Sequence, residues 1–269
     1  MSEQTTPTPG GPVLELRGVH VIHKTRTGGL FRPGTVHAVN DVDFTVARGE
    51  TVGIVGESGC GKSTLARVLV GLQRPTKGTV LFHGEQMRYD ATTRRKLGRG
   101  VSVVFQDPAT ALNPRMVVRE QLMDPMRVHH IGTEAERLKR VSHLLELVGL
   151  PQSALDVLPR QISGGQRQRV AIARALALGP DVIVADEPTS ALDVSVRAQV
   201  LNLLTDLKAE LGTGMVFISH DISTVRYISD RMAVMNAGQI VETGPAEKLF
   251  NNPEHPYTRT LLGAVPSLL

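Results

Sequence analysis

The chain has 269 residues, with 30 Lys plus Arg against 26 Asp plus Glu and a formal net charge of +4. That length buries one or two cores, and so mild a surplus does not argue for nucleic acid, which asks for a concentrated basic stripe. Six Phe, three Tyr and no Trp disfavour single-strand stacking platforms, and one Cys excludes an intramolecular disulfide and a multi-cysteine metal cage.

Residues 1–12, rich in Thr, Pro and Gly, read as a disordered lead-in. They lack the basic start and apolar core of a secretory signal. Val13 to Val21 reads as a strand, His23 to Pro33 as a basic, Gly-rich loop, and Val36 to Val46 as a second strand or two. A small sheet is therefore expected at the start. From Glu50 the character changes. Thr51 to Val55 is a short apolar run ending in glycine, as a buried parallel strand would be. Leu65, Val68, Leu69 and Leu72 then repeat at helical spacing. The basic run Arg94 to Arg99 reads as a solvated loop, with contact to acidic groups or lipid headgroups as the alternative. Glu120 to Leu178 has almost no strand character, and helical faces run through Leu138, Val141, Leu144, Leu145 and Val148, then Val170, Ala173 and Ala177. Strands at 182–186 and 215–220 flank a helical face of Val196, Val200, Leu203, Leu204 and Leu207. Asn236-Ala237-Gly238 between apolar runs signals a hairpin. Strands alternating with helices imply a parallel sheet in an α/β fold. Every window of about 18 residues carries a charge, so no spanning helix is expected.

Gly56-Glu57-Ser58-Gly59-Cys60-Gly61-Lys62-Ser63 fits G-x-x-x-x-G-K-[ST] between an expected strand and an expected helix. Backbone N–H groups reach phosphate oxygens only where glycine removes the Cβ, and the following helix points its positive end at them. Lys62 is expected to reach the β- and γ-phosphates and the Ser63 hydroxyl to bind Mg²⁺. Cys60 merely suits a position that tolerates a small residue. Ser163, Gly164, Gly165 and Gln166 open a second helix, where a hydroxyl and bare N–H groups facing outwards make another anion site. Asp186 and Glu187 close an apolar strand; Asp186 would hold Mg²⁺ and Glu187 would deprotonate the attacking water. Asp193 ends a turn after that strand, His220 closes the next one, and Gln106 ends another.

Together these residues resemble the nucleotide-binding subunit of an ATP-binding-cassette (ABC) transporter, over roughly residues 13–265. Each core motif of that family has a match in order: Walker A at 56–64, ending at Thr64, the Q-loop Gln106, the signature ISGGQ at 162–166, Walker B at 182–187, the D-loop at 190–193 and the H-loop His220. Ile162 stands where Leu is usual, a near-isosteric swap. The resemblance implies a P-loop NTPase core with a mixed sheet and flanking helices, an antiparallel β subdomain and a helical insertion. These would form an ATPase domain over 13–250, with the insertion at about 108–180, followed by a C-terminal extension over 251–269. It implies ATP and Mg²⁺ as cofactors, with Ser63, Gln106 and Asp186 at the metal. It also implies a head-to-tail dimer in which Ser163, Gly164, Gly165, Gln166 and Asp193 of one copy close on the nucleotide held by the other. The family's adenine-stacking aromatic has no Tyr or Trp here; Phe31 is the first candidate and His37 the next.

Three stretches, 104–115, 185–204 and 250–266, resemble the importers for di- and oligopeptides and for nickel. That resemblance implies a second ATPase chain, identical or different, two transmembrane permeases, a periplasmic or lipid-anchored solute-binding protein, and a peripheral place on the cytoplasmic face of the membrane. A soluble cassette ATPase of repair or translation would separate the motifs by a coiled coil or fuse two cassettes. A P-loop kinase would have no use for ISGGQ, and an exporter ATPase usually shares its chain with membrane helices.

Overall fold

The computed structural model describes residues 11–25, 34–107 and 111–263. Leu14–Thr25 (β1) and Gly34–Val46 (β2) pair antiparallel. Thr51–Val55 (β3) leads through the glycine-rich loop into Lys62–Leu69 (α1). Lys77–Phe82 (β4) and Glu85–Gln86 (β5) return to the first pair and complete a sheet in the order β2-β1-β4-β5. Ala91–Gly100 (α2) and Val101–Val104 (β6) follow. The next described elements are all helical: Val118–Val128 (α3), Glu134–Leu147 (α4), 3₁₀ turns at Gln152–Asp156 and Pro159–Gln161, and Gly164–Leu176 (α5). Then come Val182–Asp186 (β7), Val194–Leu211 (α6), Gly214–Ser219 (β8), Ile222–Ile228 (α7), Arg231–Asn236 (β9), Gln239–Pro245 (β10), Ala246–Asn251 (α8) and Pro256–Gly263 (α9).

The second sheet has the order β10-β9-β3-β8-β7-β6, parallel throughout except for β10, which runs against β9. Every residue of β3 and β8 is buried. Such strands are covered on both faces and therefore read as unbroken apolar runs rather than alternating ones. One face packs on α1 through Leu65, Val68 and Leu69, which share a core with Leu14, Leu16 and Val42 of the antiparallel sheet. The other face shares a core with the helical region through Leu122, Leu144, Leu145, Val170 and Ile172. The parallel sheet is thus the wall common to both cores. Among the described residues no helix is long and apolar enough to cross a membrane.

Several sequence expectations change. β1 continues through Lys24, beyond Val21. β2 is one strand, and its register with β1 shifts at three places. Leu72 does not extend the face of α1. The helix stops at Leu69, Gly71 adopts a left-handed φ of +73°, and Leu72 is 65% exposed. Leu138 is likewise exposed on α4. The Arg94 to Arg99 run is no loop but the body of α2. Asp90 caps that helix by accepting from the Thr93 N–H at 2.7 Å, and its one large apolar residue, Leu97, is buried. The lead-in over residues 1–10 lies outside the described residues.

Phe217 sits fully buried at the centre of β8, among side chains shared with the helical region. Phe217→Ala is expected to destabilise the chain by about 3–5 kcal/mol, read as a lowered midpoint in urea unfolding.

Candidate functional site

The carboxyl ends of β3, β6, β7 and β8 open on one side of the parallel sheet, and the residues that follow them make the site. After β3 the chain folds back on itself around a buried cation. Lys62, 5% exposed, donates from Nζ to the carbonyl oxygens of Gly56 at 2.7 Å and Glu57 at 2.8 Å. The closure demands glycine at 61. Its φ is +111°, and a Cβ there would lie 2.0 Å from the Ala38 carbonyl oxygen. The turn between β9 and β10 fastens the loop from outside. The Gly238 N–H donates to the Cys60 carbonyl at 2.9 Å, and the Asn40 N–H donates to the Gly238 carbonyl at 2.8 Å. Cys60 is buried beneath, its Sγ 3.9 Å from Lys62 Nζ, and burial pushes its thiol up.

Two carboxylates come in sequence at the end of β7, Asp186 as its last residue and Glu187 just beyond it. The Ser63 hydroxyl donates to Asp186 Oδ1 at 3.4 Å. Burial holds the Asp186 carboxyl above its usual range, against the pull of that hydrogen bond. Glu187 takes a left-handed φ of +48°. Its N–H still donates to the Ile218 carbonyl, at 2.9 Å, while the Ser190 N–H and hydroxyl donate to its carbonyl at 3.2 and 3.1 Å. That turn swings the Glu187 carboxylate out of the strand line, where Oε2 lies 3.0 Å from His220 Nδ1. A carboxylate only accepts, so Nδ1 carries the hydrogen.

One cavity of about 760 Å³ has Ser58, Gly59, Cys60, Gly61, Lys62, Ser63 and Thr64 on one side and Gln106, Glu187 and His220 on another; Asp186 is not in its lining and meets the Ser63 hydroxyl. Gly56 and Glu57 hold Lys62 from behind. His37 and the turn residues Ala237 and Gly238 complete the rim. Phe31 lies outside the described residues.

Ser163, Gly164, Gly165, Gln166 and Asp193 do not line this cavity. The Ser163 hydroxyl does not simply face outwards, as the sequence suggests. It accepts from the Gln166 N–H at 3.2 Å, and the Gln166 side chain accepts from the Ser163 N–H at 2.9 Å. This is a reciprocal cap, and Ser163-x-x-Gln166 is its sequence signature. Gly164 and Gly165 keep N–H groups with no intrahelical acceptor. Asp193 caps α6 by accepting from the Val196 N–H at 2.9 Å. The sequence reading uses Tyr257 only as part of the 250–266 resemblance and gives it no place in the site. The Glu57 N–H donates to its hydroxyl at 3.2 Å, across 200 positions, and no local pattern announces that contact.

Residues 39–190 match the ABC transporter family, and residues 241–269 match the oligopeptide/dipeptide transporter C-terminal region. The chain belongs to the ABC transporter family and is an ATPase of the cassette fold. The oligopeptide transport ATP-binding protein OppF of Bacillus subtilis is 50% identical over 237 residues, covering 87% of this chain and 77% of that protein. A putative peptide import ATP-binding protein of Brucella ovis is 48% identical over 257 residues, covering 95% of this chain and 79% of its own. The glutathione import ATP-binding protein GsiA of Salmonella typhimurium is 48% identical over 267 residues; 98% of this chain is covered, but only 43% of that longer protein. Among solved structures, the dimeric post-hydrolysis state of the ATP-binding cassette MJ0796, bound to ADP and Pi, superposes with a TM-score of 0.76 at 32% identity, covering 87% of this chain and 98% of that one. The cbiO1 component of a Clostridium perfringens ABC transporter complex gives 0.77 at 29% identity, covering 90% and 91%.

Because the folded chain raises the pKa of Asp186, the group stabilises the fold at acid pH and loses that contribution as pH rises through the raised value. Asp186→Asn lacks this loss. Its nucleotide-free melting temperature is expected to exceed wild type at pH 7 and to converge with it in acid, measured by thermal scans across pH.

Proposed function

We propose that this chain is the ATP-hydrolysing subunit of a membrane importer for di- or oligopeptides, working in a head-to-tail pair of cassettes. The cavity that gathers Lys62, Ser63, Gln106, Glu187 and His220 carries the nucleotide part of the reading. The similarity of residues 241–269 to an oligopeptide/dipeptide transporter region, with relatives named for peptide and glutathione import, supports the cargo class.

In this reading Lys62 leaves the Gly56 and Glu57 carbonyls for the β- and γ-phosphates. The loop N–H groups from Gly59 to Ser63 and the positive end of α1 hold the remaining phosphate charge. His37 or Phe31 meets adenine. Ser63 and Asp186, with Gln106 nearby, fit Mg²⁺, which takes one or two protein oxygens and completes its shell with phosphates and water. Among the described residues no cluster of three His, Cys, Asp or Glu offers a denser metal cage. The metal would neutralise charge that develops on the phosphates. Glu187 accepts a proton from the water that attacks the γ-phosphate, and His220 holds Glu187 and contacts the transferred group.

Ser163, Gly164, Gly165 and Gln166 cap an anion from outside their own cavity, so a second cassette presents them, together with Asp193, to this nucleotide. ATP then joins two positive helix ends across the seam, and hydrolysis releases it. The exposed Leu72, Phe105 and Val128 line a groove between β6 and α3 that suits a permease segment. The proposed layout keeps residues 13–250 as the ATPase domain, with the insertion over 108–180 and the extension over 251–269. Two permeases and a solute-binding protein complete the machine at the cytoplasmic face of the membrane.

Glu187→Gln is expected to bind ATP as the parent does, to hydrolyse it about 10²–10⁴-fold more slowly and to accumulate a dimer with ATP on size-exclusion chromatography. Normal turnover in that variant removes Glu187 as the base. Reconstituted in proteoliposomes with its permeases, the chain should hydrolyse ATP faster when peptide-loaded binding protein is added. A rate indifferent to peptide removes the import assignment.

A further inference from the structure

The Gly56–Glu57 amide is held at both ends. Its carbonyl accepts from Lys62 Nζ at 2.7 Å, and its N–H donates to the Tyr257 hydroxyl at 3.2 Å. A peptide unit is a rigid plane, so a partner on the N–H fixes where the carbonyl points. Tyr257 is itself tied down. Its own N–H donates to His255 Nδ1 at 3.2 Å, and its ring packs against the large core. The N–H groups of Glu254 and His255 donate to the two carboxylate oxygens of Glu242 at 2.8 and 3.1 Å. Glu242 lies on β10, whose turn with β9 supplies the Gly238 N–H to Cys60. Both outer fasteners of the phosphate loop therefore hang on one hairpin and the segment that follows it.

We infer that Tyr257 is a positioning residue for nucleotide binding: its hydroxyl orients the amide on which Lys62 rests and so couples the C-terminal segment to the phosphate loop. This rests on the nucleotide reading above. When Lys62 moves to phosphate, the Gly56 carbonyl loses its donor, but the Glu57 N–H stays held and the loop keeps its shape. Without the hydroxyl that plane is free to rotate, and arriving nucleotide must order it. The consequence falls on binding rather than on chemistry.

Tyr257→Phe keeps the ring and removes only the oxygen. It is expected to raise the Kd and KM for ATP by about 2- to 10-fold, the range of one neutral hydrogen bond, with kcat unchanged and the melting temperature lowered by no more than a few degrees. A second readout needs no nucleotide. Cys60 is the chain's only cysteine and is buried under the loop, so iodoacetamide should label it several-fold faster in the variant. Unchanged ATP affinity overturns the inference, whether or not labelling changes, and so does weaker binding with unchanged labelling. If the parent chain binds no ATP, the nucleotide reading fails on its own, and equal labelling of parent and variant still overturns the role of Tyr257.

Discussion

A buried ammonium must be surrounded by oxygen, and the site is built on that requirement at Lys62. An uncompensated ion in the interior costs several kcal/mol, while a hydrogen bond to a charged group returns about 1.5–3 kcal/mol. Two carbonyls of the loop meet the need without any ligand. They do so because β3 and α1, at the two ends of the loop, are anchored in one core, β3 through Val52 and Ile54 and α1 through Leu65, Val68 and Leu69. The loop is therefore shaped around the cation before nucleotide arrives, and phosphate oxygens take over acceptors' work that is already organised.

The parallel sheet explains why the remaining groups arrive at the same place. Strands that run the same way end on the same side, so the residues after β6, β7 and β8 meet the loop after β3. Ligands in open α/β sheets lie outside the carboxyl ends of the strands for this reason. Gln106, Asp186, Glu187 and His220 come from distant parts of the chain, yet each needs only to end its strand or follow it.

What the sequence made legible was what local chemistry dictates. Gly61 has no substitute beside Ala38, and strands buried on both faces must be continuous apolar runs, so the loop and β3, β7 and β8 could be read directly. Helix α2 could not be, because its polar face is nearly complete and one buried leucine, Leu97, leaves little periodicity to see. The Asp90 cap was the available signal. The Ser163–Gln166 cap was written in its spacing but was outweighed there by the anion reading of the glycines. The contact between Glu57 and Tyr257 had no local trace: it exists because α9 packs back against the core, a tertiary event.

The left-handed backbone at Glu187 has an evolutionary side. A residue with a Cβ pays about 1–2 kcal/mol to sit there, and glycine would relax it. On the role proposed for the carboxylate, the sturdiest version of this protein and its working version are different molecules. Selection for heat resistance alone would drift away from glutamate at this position, and its retention would register continuous demand for turnover.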